Sequence, residues 1–430
     1  MKKSYFILYL IAIAGIIVLA SLFKYRSYQQ NKDLSANTSL SNTVTTPADA
    51  LITKHETDLE KNPSNTSLHL QLASTYIQKA RESGDASYYN KVDKLMDSAQ
   101  KQEPNNPEVY ATRGMIALAR HNFKDALYLG NKAVAINPSK ALYYGIIVDA
   151  QTELGQNEEA ITTLQTMVDK RPDYNSFSRI AYARELHGHI EGARTAIQTA
   201  VQDGALFAEN IAWGYVELGK LDMRTDIAKA EEQFNLALRI VPNYTPALEQ
   251  LGKVSYANGN PNEAIAYFQK ALDLLPLAQY AIDLGEVYDQ TGNAAKASQY
   301  YSVAEVAFKR AISGGVNTDM EFSLFLSEHD VDAKRSLTLA EQSYSVRSSI
   351  YGADALAWAY YKNSMPEKAQ EYITKALRLG QHDPIIVFHA AAIAEQNGKN
   401  EDAKLLYKKA LALNPQFSIL YGKTAKLKAQ

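Results

Sequence analysis

Residues 107–140 carry apolar side chains at the three- and four-residue spacing of a helix face. Tyr110, Gly114 and Leu118 form one stripe, and Phe123, Ala126, Leu127 and Ala133 form a second. The pattern predicts a helix over 108–120, a turn at 121–123 and a second helix over 124–136. Pro138 stops the second helix, because proline has no amide hydrogen and restrains the residue before it. Gly114, Ala126 and Ala133 are small where helices must cross, and Tyr110, Leu118, Phe123 and Leu127 fill the gaps between them.

This block recurs. Ala126, Ala133 and Pro138 return 34 residues later as Ala160, Met167 and Pro172. Ala230, Phe234, Ala237 and Pro242 return as Ala264, Phe268, Ala271 and Pro276. Ala369 and Ala376 return as Ala403 and Ala410. A fixed period of this length predicts a helix–turn–helix solenoid in which each unit packs only on its neighbours. At about 25 cal/mol per Å² of buried apolar area, each joint between units is worth several kcal/mol, and a lone unit has no such joint. Some units depart from the pattern. The turn at 82–89 is lengthened after Leu72, Ala73 and Tyr76, and so is the one at 222–227 after Ile211, Ala212 and Tyr215. The match weakens over 177–200 and is poorest over 317–346, where the first helix ends near Ser327. A lone helix over 49–61 precedes the first unit. A closing helix over 417–428 follows the last, with Lys423, Lys426 and Lys428 toward water.

Ahead of the array the pattern changes. Residues 5–23 are apolar and uncharged, and as a helix they span about 28 Å, close to a bilayer's hydrocarbon thickness. Lys2 and Lys3 precede this run, and Lys24 and Arg26 follow it, so flanking charge sets little orientation. Residues 1–26 are therefore expected to be a transmembrane signal anchor. A cleaved signal peptide with Val18 and Ala20 before the cut is the alternative, and both export the repeats. The opposite orientation, with the repeats in the cytoplasm, stays open. Residues 27–48 are rich in Ser, Thr and Asn without apolar period and are expected to be a flexible stalk.

Composition narrows the function. The 430-residue chain holds 45 Lys and Arg against 47 Asp and Glu, for a net charge of −2, which argues against a nucleic-acid binder. There is no cysteine, so disulfides, thiolate metal sites and cysteine nucleophiles are excluded. His187 and His189 form an HGH turn that reads as solvated, since a metal needs three or four ligands in fixed geometry. Asp383 reads as the N-cap of a helix that starts at Pro384. Gly422–Lys423–Thr424 imitates the end of a phosphate loop, but Phe417 stands where the loop's first glycine belongs. Nothing assigns a catalytic residue, a metal or a cofactor, and no stretch of domain size is left over for an enzyme.

The repeat unit resembles the tetratricopeptide repeat family. Leu248, Leu251, Gly252, Tyr256, Ala264, Phe268, Ala271 and Pro276 carry the likeness best. Leu284, Gly285, Tyr288, Gly292, Ala297, Tyr301 and Ala304 continue it, as do Leu356, Ala357, Tyr360, Ala369, Ile373 and Ala376, then Ala391, Ala403, Tyr407, Ala410 and Pro415. The resemblance covers residues 49–430. It implies an all-α, right-handed superhelical solenoid of about ten units after one transmembrane helix, whose first helices line a concave groove for partner peptides or proteins. Met115, Glu249, Lys253, Glu286 and Glu395 lie off the packing stripe of first helices. The sharper partner-binding candidates are Tyr351, Asp354, Trp358, Tyr361 and Phe388, since aromatic residues are enriched at binding hot spots. Rings at helical spacing also serve as core between the last units, and that reading stays beside the first. Glu249 with Lys253, Asp354 with Trp358 and Gly145 with Asp149 replace the basic clamp by which one subgroup of the family grips chaperone tails. The expected function is a membrane-tethered, non-catalytic interaction scaffold, in cell-envelope assembly or secretion. A cytoplasm-facing adaptor and an accessory subunit of an enzyme complex are the alternatives. The sequence does not set the oligomeric state.

Overall fold

The structure, a computed structural model, describes residues 48–205, 207–380 and 382–430. The expected membrane segment, and the stalk apart from Ala48, lie outside these residues. Among the described residues no helix is long and apolar enough to cross a membrane. The described residues belong to one compact unit.

All regular structure among the described residues is helical. After α1 (Ala48–Lys61) come α2 (Thr66–Ser83), α3 (Ser87–Gln102), α4 (Pro107–Ala119), α5 (Phe123–Ile136), α6 (Ala141–Glu153) and α7 (Asn157–Lys170). Next are α8 (Tyr174–Leu186), α9 (Ile190–Asp203), α10 (Ala208–Asp222), α11 (Ile227–Ile240), α12 (Thr245–Ala257), α13 (Pro261–Leu274) and α14 (Ala278–Gln290). The rest are α15 (Ala294–Ser313), α16 (Asp319–Glu328), α17 (Ala333–Val346), α18 (Ile350–Lys362), α19 (Pro366–Ala376), α20 (Pro384–Gln396), α21 (Asn400–Leu413) and α22 (Gly422–Lys428). From α2 to α21 they form ten antiparallel pairs, each packed on the next.

Local chemistry explains each unit. In α4 the Asn106 side chain accepts from the Glu108 amide and Pro107 opens the helix, so the first exposed donors are satisfied without a broken ladder. Ala126 and Ala133 on α5 are fully buried, as are Ala264, Phe268 and Ala271 on α13. Gly252 shows why a small residue is needed in the first helix. A Cβ there would fall 2.5 Å from the Phe268 ring, so the ring could not lie flat on α12.

Two local expectations change, and the short first helix expected to end near Ser327 is found. The extra residues near 82–89 mostly prolong α2 to Ser83, and Gly84 at φ 64° ends it in the left-handed region that glycine tolerates. Within 317–346, α16 is short and α15 before it runs 20 residues, so the irregular unit is compensated by its predecessor. The closing helix starts at Gly422, not at 417, and residues 417–421 are non-helical.

The largest departure is that units far apart in sequence meet. Turns within units of the first half press against loops between units of the second half. Asn317 donates its amide to the Arg120 carbonyl at 3.0 Å. Arg347 reaches Glu153 and Glu321, each at 2.7 Å, and the Ser348 hydroxyl donates to the Leu154 carbonyl at 2.8 Å. Arg224 donates to the His382 carbonyl at 3.3 Å. The HGH turn borders the same seam: its Gly188 is so close to the His382 ring that a Cβ would overlap it, while His187 is half-buried and His189 is exposed as expected. The solenoid is therefore wound tightly enough to touch itself, beyond the neighbour-only packing expected of a repeat array.

Candidate interaction channel

First helices α12, α14, α16, α18 and α20 bring one residue set together. On α12, Glu249 and Lys253 are one turn apart and pair at 2.5 Å. On α14, Asp283 is buried, accepts from Gln279 at 3.0 Å and lies 3.9 Å from Lys253. Also on α14, Glu286 accepts from the His329 ring at 3.2 Å, just past the end of α16. His389 of α20 is wholly buried, and its Nδ1 lies 3.0 Å from both oxygens of Asp354 on α18. Its Nε2 faces Glu328 of α16 at 3.8 Å. Five elements thus share one chain of buried charges, with more carboxylates than cations.

Burial sets the protonation. Burial raises the Asp283 carboxyl against the pull of Lys253. It also pushes Glu328 up to about 7, although His389 and His329 favour its charged form. For His389 burial works against the proton, but Asp354 and Glu328 outweigh it and its pKa is raised. His329 is likewise raised, by Glu286 acting against burial.

Four of the five expected partner-binding residues come together here. Trp358 stacks on Tyr361 at 4.5 Å between ring centroids and on His389 at 4.0 Å, and Phe388 is tilted 6.4 Å away. Asp354 lies under them through its bond to His389. Tyr361 is half-buried, whereas Asp354, Trp358 and Phe388 are buried. Tyr351 is apart from this group. It packs in the cluster that contains Leu186 of α8, and burial beside the carboxylates of Asp383, Glu185 and Glu153 raises its pKa. Of the other groove residues, Glu395 pairs with Lys428 and accepts from Tyr407 at 3.0 Å. Met115 packs on the α4–α6 core. Asp383 caps α20 by accepting from the amides of Ile385 and Ile386.

What buries the rings was not expected. Tyr421 stacks on Phe388 at 4.5 Å and stands edge-on to Trp358 at 5.8 Å. Phe417 lies 5.8 Å from Phe388, and Ile419 enters the apolar cluster that holds Leu248, Tyr280, Leu284 and Phe325. Residues 416–421, with Lys253, Asp283, Glu286 and Glu328, line one small cavity. Sequence reasoning missed Asp283, Glu328, His329, His389 and this segment. A usable signal was present: Asp283 in Ala-Ile-Asp-Leu and His389 in Val-Phe-His-Ala each interrupt an apolar run on a first helix.

Two models described as tetratricopeptide repeat match residues 246–278 and 355–416. The human protein O-mannosyl-transferase TMTC1 is 22% identical over 180 residues, which are 41% of this chain and 20% of that relative's length. The chain thus spans about a fifth of that relative. Human IFIT1, solved as a dimer with m7Gppp-AAAA, matches at 17% identity and TM-score 0.47 over 76% of each chain. Yeast Tom70 matches at 15% identity and TM-score 0.37, over 93% of this chain and 95% of that one. The type IV pilus biogenesis factor PilW matches at 15% identity and TM-score 0.40, over 47% of this chain and 94% of that one. Residues 246–278 and 355–416 thus carry tetratricopeptide repeats, and ten helix pairs of one kind run through the described residues.

Proposed function

We propose that this chain is a non-catalytic scaffold that binds partner peptides or proteins in the concave channel at Trp358, Tyr361 and Phe388. It is held at a membrane by residues 1–26, with the repeats on the extracytoplasmic side, and serves cell-envelope assembly or secretion. One observation carries the binding claim: a side formed by five first helices gathers stacked rings and buried carboxylates. Such a mixture of aromatic surface and fixed charge suits recognition of a peptide segment. The membrane and envelope claims rest on the uncharged run 5–23 and on the repeat type.

The test places a photo-crosslinking amino acid at Tyr361, beside the rings, or at Tyr128, which is exposed on α5. Discrete partner adducts from position 361 that are absent from position 128 are expected. The same adducts from both positions, or none from 361, would refute channel binding. For the membrane claim, a reporter fused after Gln430 should be active outside the cytoplasm, and activity only in the cytoplasm overturns export. A second reading, an accessory part of an enzyme complex, is favoured only by the partial match to a human O-mannosyl-transferase. It predicts co-purification of a glycosyl-transfer activity with the chain.

A further inference from the structure

We infer that residues 416–421 are an intramolecular ligand in the channel. The partner that replaces them is a segment with aromatic, aliphatic and aromatic side chains at alternate positions and a lysine or arginine among them. The inference rests on the channel-binding reading above and adds the partner's chemistry and its competitor.

The segment is held by its side chains. Phe417, Ile419 and Tyr421 project from a bend followed by a turn, and their side chains insert on two sides of it. Phe417 and Tyr421 meet Phe388 of α20, and Ile419 goes to the α12–α16 side. Its amide bonds are local. Gln416 donates to the Asn414 side chain at 2.9 Å, Tyr421 to the Ser418 hydroxyl at 3.0 Å, and Gly422 to the Ser418 carbonyl at 3.2 Å. Among the described residues no backbone hydrogen bond ties 416–421 to the channel wall, and beyond the segment Lys423 donates to the Gln290 carbonyl at 3.2 Å. Side-chain insertion alone holds it, and another segment with the same side chains could take its place.

The fit is also incomplete. The sequence from Gln416 to Tyr421 carries no charge. It lies against Asp283, Glu286 and Glu328, which face Lys253 at 3.9 Å, His329 at 3.2 Å and His389 at 3.8 Å respectively. Asp283 Oδ2 has no hydrogen-bond partner. Buried polar atoms normally have one, so a ligand that supplied it would outcompete the chain's own segment. A lysine or arginine beside Asp283 and Glu328 does this, which is why the partner segment is assigned a cation that 416–421 lacks.

The test uses the full chain and two labelled peptides. One spans residues 412–424, and the other is that sequence with Leu420→Lys. Binding is read by fluorescence anisotropy for the natural chain and for its Ile419→Ala/Tyr421→Ala variant. The variant should bind the first peptide about tenfold more tightly than the natural chain does, because the competitor is weakened. The lysine peptide should bind more tightly than the first. A variant that keeps its helicity by circular dichroism but gains no peptide binding overturns the inference. Hydrogen exchange on the natural chain decides the case if the variant unfolds. Amides of 416–421 should exchange faster than those of α20 and α21, and faster again with the first peptide present. Exchange in step with α21, unchanged by peptide, means that the segment is permanent core and overturns the proposal. A concentration-dependent dimer that exchanges its 416–421 segments makes a second copy the occupant, and that also overturns it. Crosslinking at Tyr361 separates the two readings: adducts without a gain in peptide binding leave the scaffold standing and remove the self-ligand.

Discussion

Trp358 and Trp213 are the chain's two tryptophans, and their settings differ. Trp358 is buried between Tyr361 and His389, whereas Trp213 on α10 is 36% exposed. Removing a buried indole leaves a cavity and lost contacts, so Trp358→Ala should cost about 3–5 kcal/mol in urea unfolding. Trp213→Ala should cost about 0.5 kcal/mol or less. Equal costs would place Trp358 outside the packed cluster. The candidate rings were legible as residue types at helical spacing. Their separation was not, because Tyr351 and Trp358 are on one helix and only tertiary contact assigns the first to α8 and the second to α20. Buried charges such as Asp283 and His389 were hidden for a related reason. A lone charged letter in an apolar helix looks the same whether it meets water or a partner.

At the scale of the element, pairing was legible and termination less so. Alanines at fixed offsets mark where helices cross, and α4 and α5 begin and end within a residue of the boundaries read from 107–140. Residues 417–421 were read as helix because nothing in Phe-Ser-Ile-Leu-Tyr forbids one. The rings on α18 and α20 and the apolar side of α12–α16 compete for those side chains and win. The helices that meet at Glu328 also give a pH dependence. Glu328 of α16 is faced by His389 of α20, Asp354 of α18, Glu286 of α14 and its neighbour His329. Its folded pKa, about 7, exceeds the ordinary 4.5, and those of His389 and His329 are also raised. Over about pH 5–7.5 the folded chain therefore holds more protons at these groups than the unfolded chain, and their contribution falls as pH rises. His382 opposes them, since burial lowers its pKa. The urea midpoint should be lower at pH 8 than at pH 6, and Glu328→Gln should flatten that slope and raise the midpoint at pH 8. An unchanged slope in the variant would contradict this assignment.

For the whole molecule, the seam between distant units decides shape. The 34-residue period describes neighbours, and contacts such as Arg347 with Glu153 carry no periodic signal, so closure could not be read from the sequence. Gly155 shows how tight the seam is. It has φ 74°, and a Cβ would lie 2.4 Å from the Ser348 carbonyl oxygen. Gly155→Ala is strained in both respects. Arg347→Ala removes charge-assisted bonds to Glu153 and Glu321 and should cost about 1–3 kcal/mol. Both variants should keep their helicity while their radius of gyration in small-angle X-ray scattering increases. Arg335→Ala, which alters an exposed pair with Glu305, should not change it. If Arg347→Ala and Arg335→Ala scatter alike, the seam does not hold the solenoid closed.

The most direct test of channel binding is a structure of the full chain with a partner captured from position 361. A partner segment should lie against Trp358 and Phe388, where Phe417 and Tyr421 now lie, with a basic side chain at Asp283 or Glu328. A partner bound to the outer face, with 416–421 still in the channel, would contradict the account.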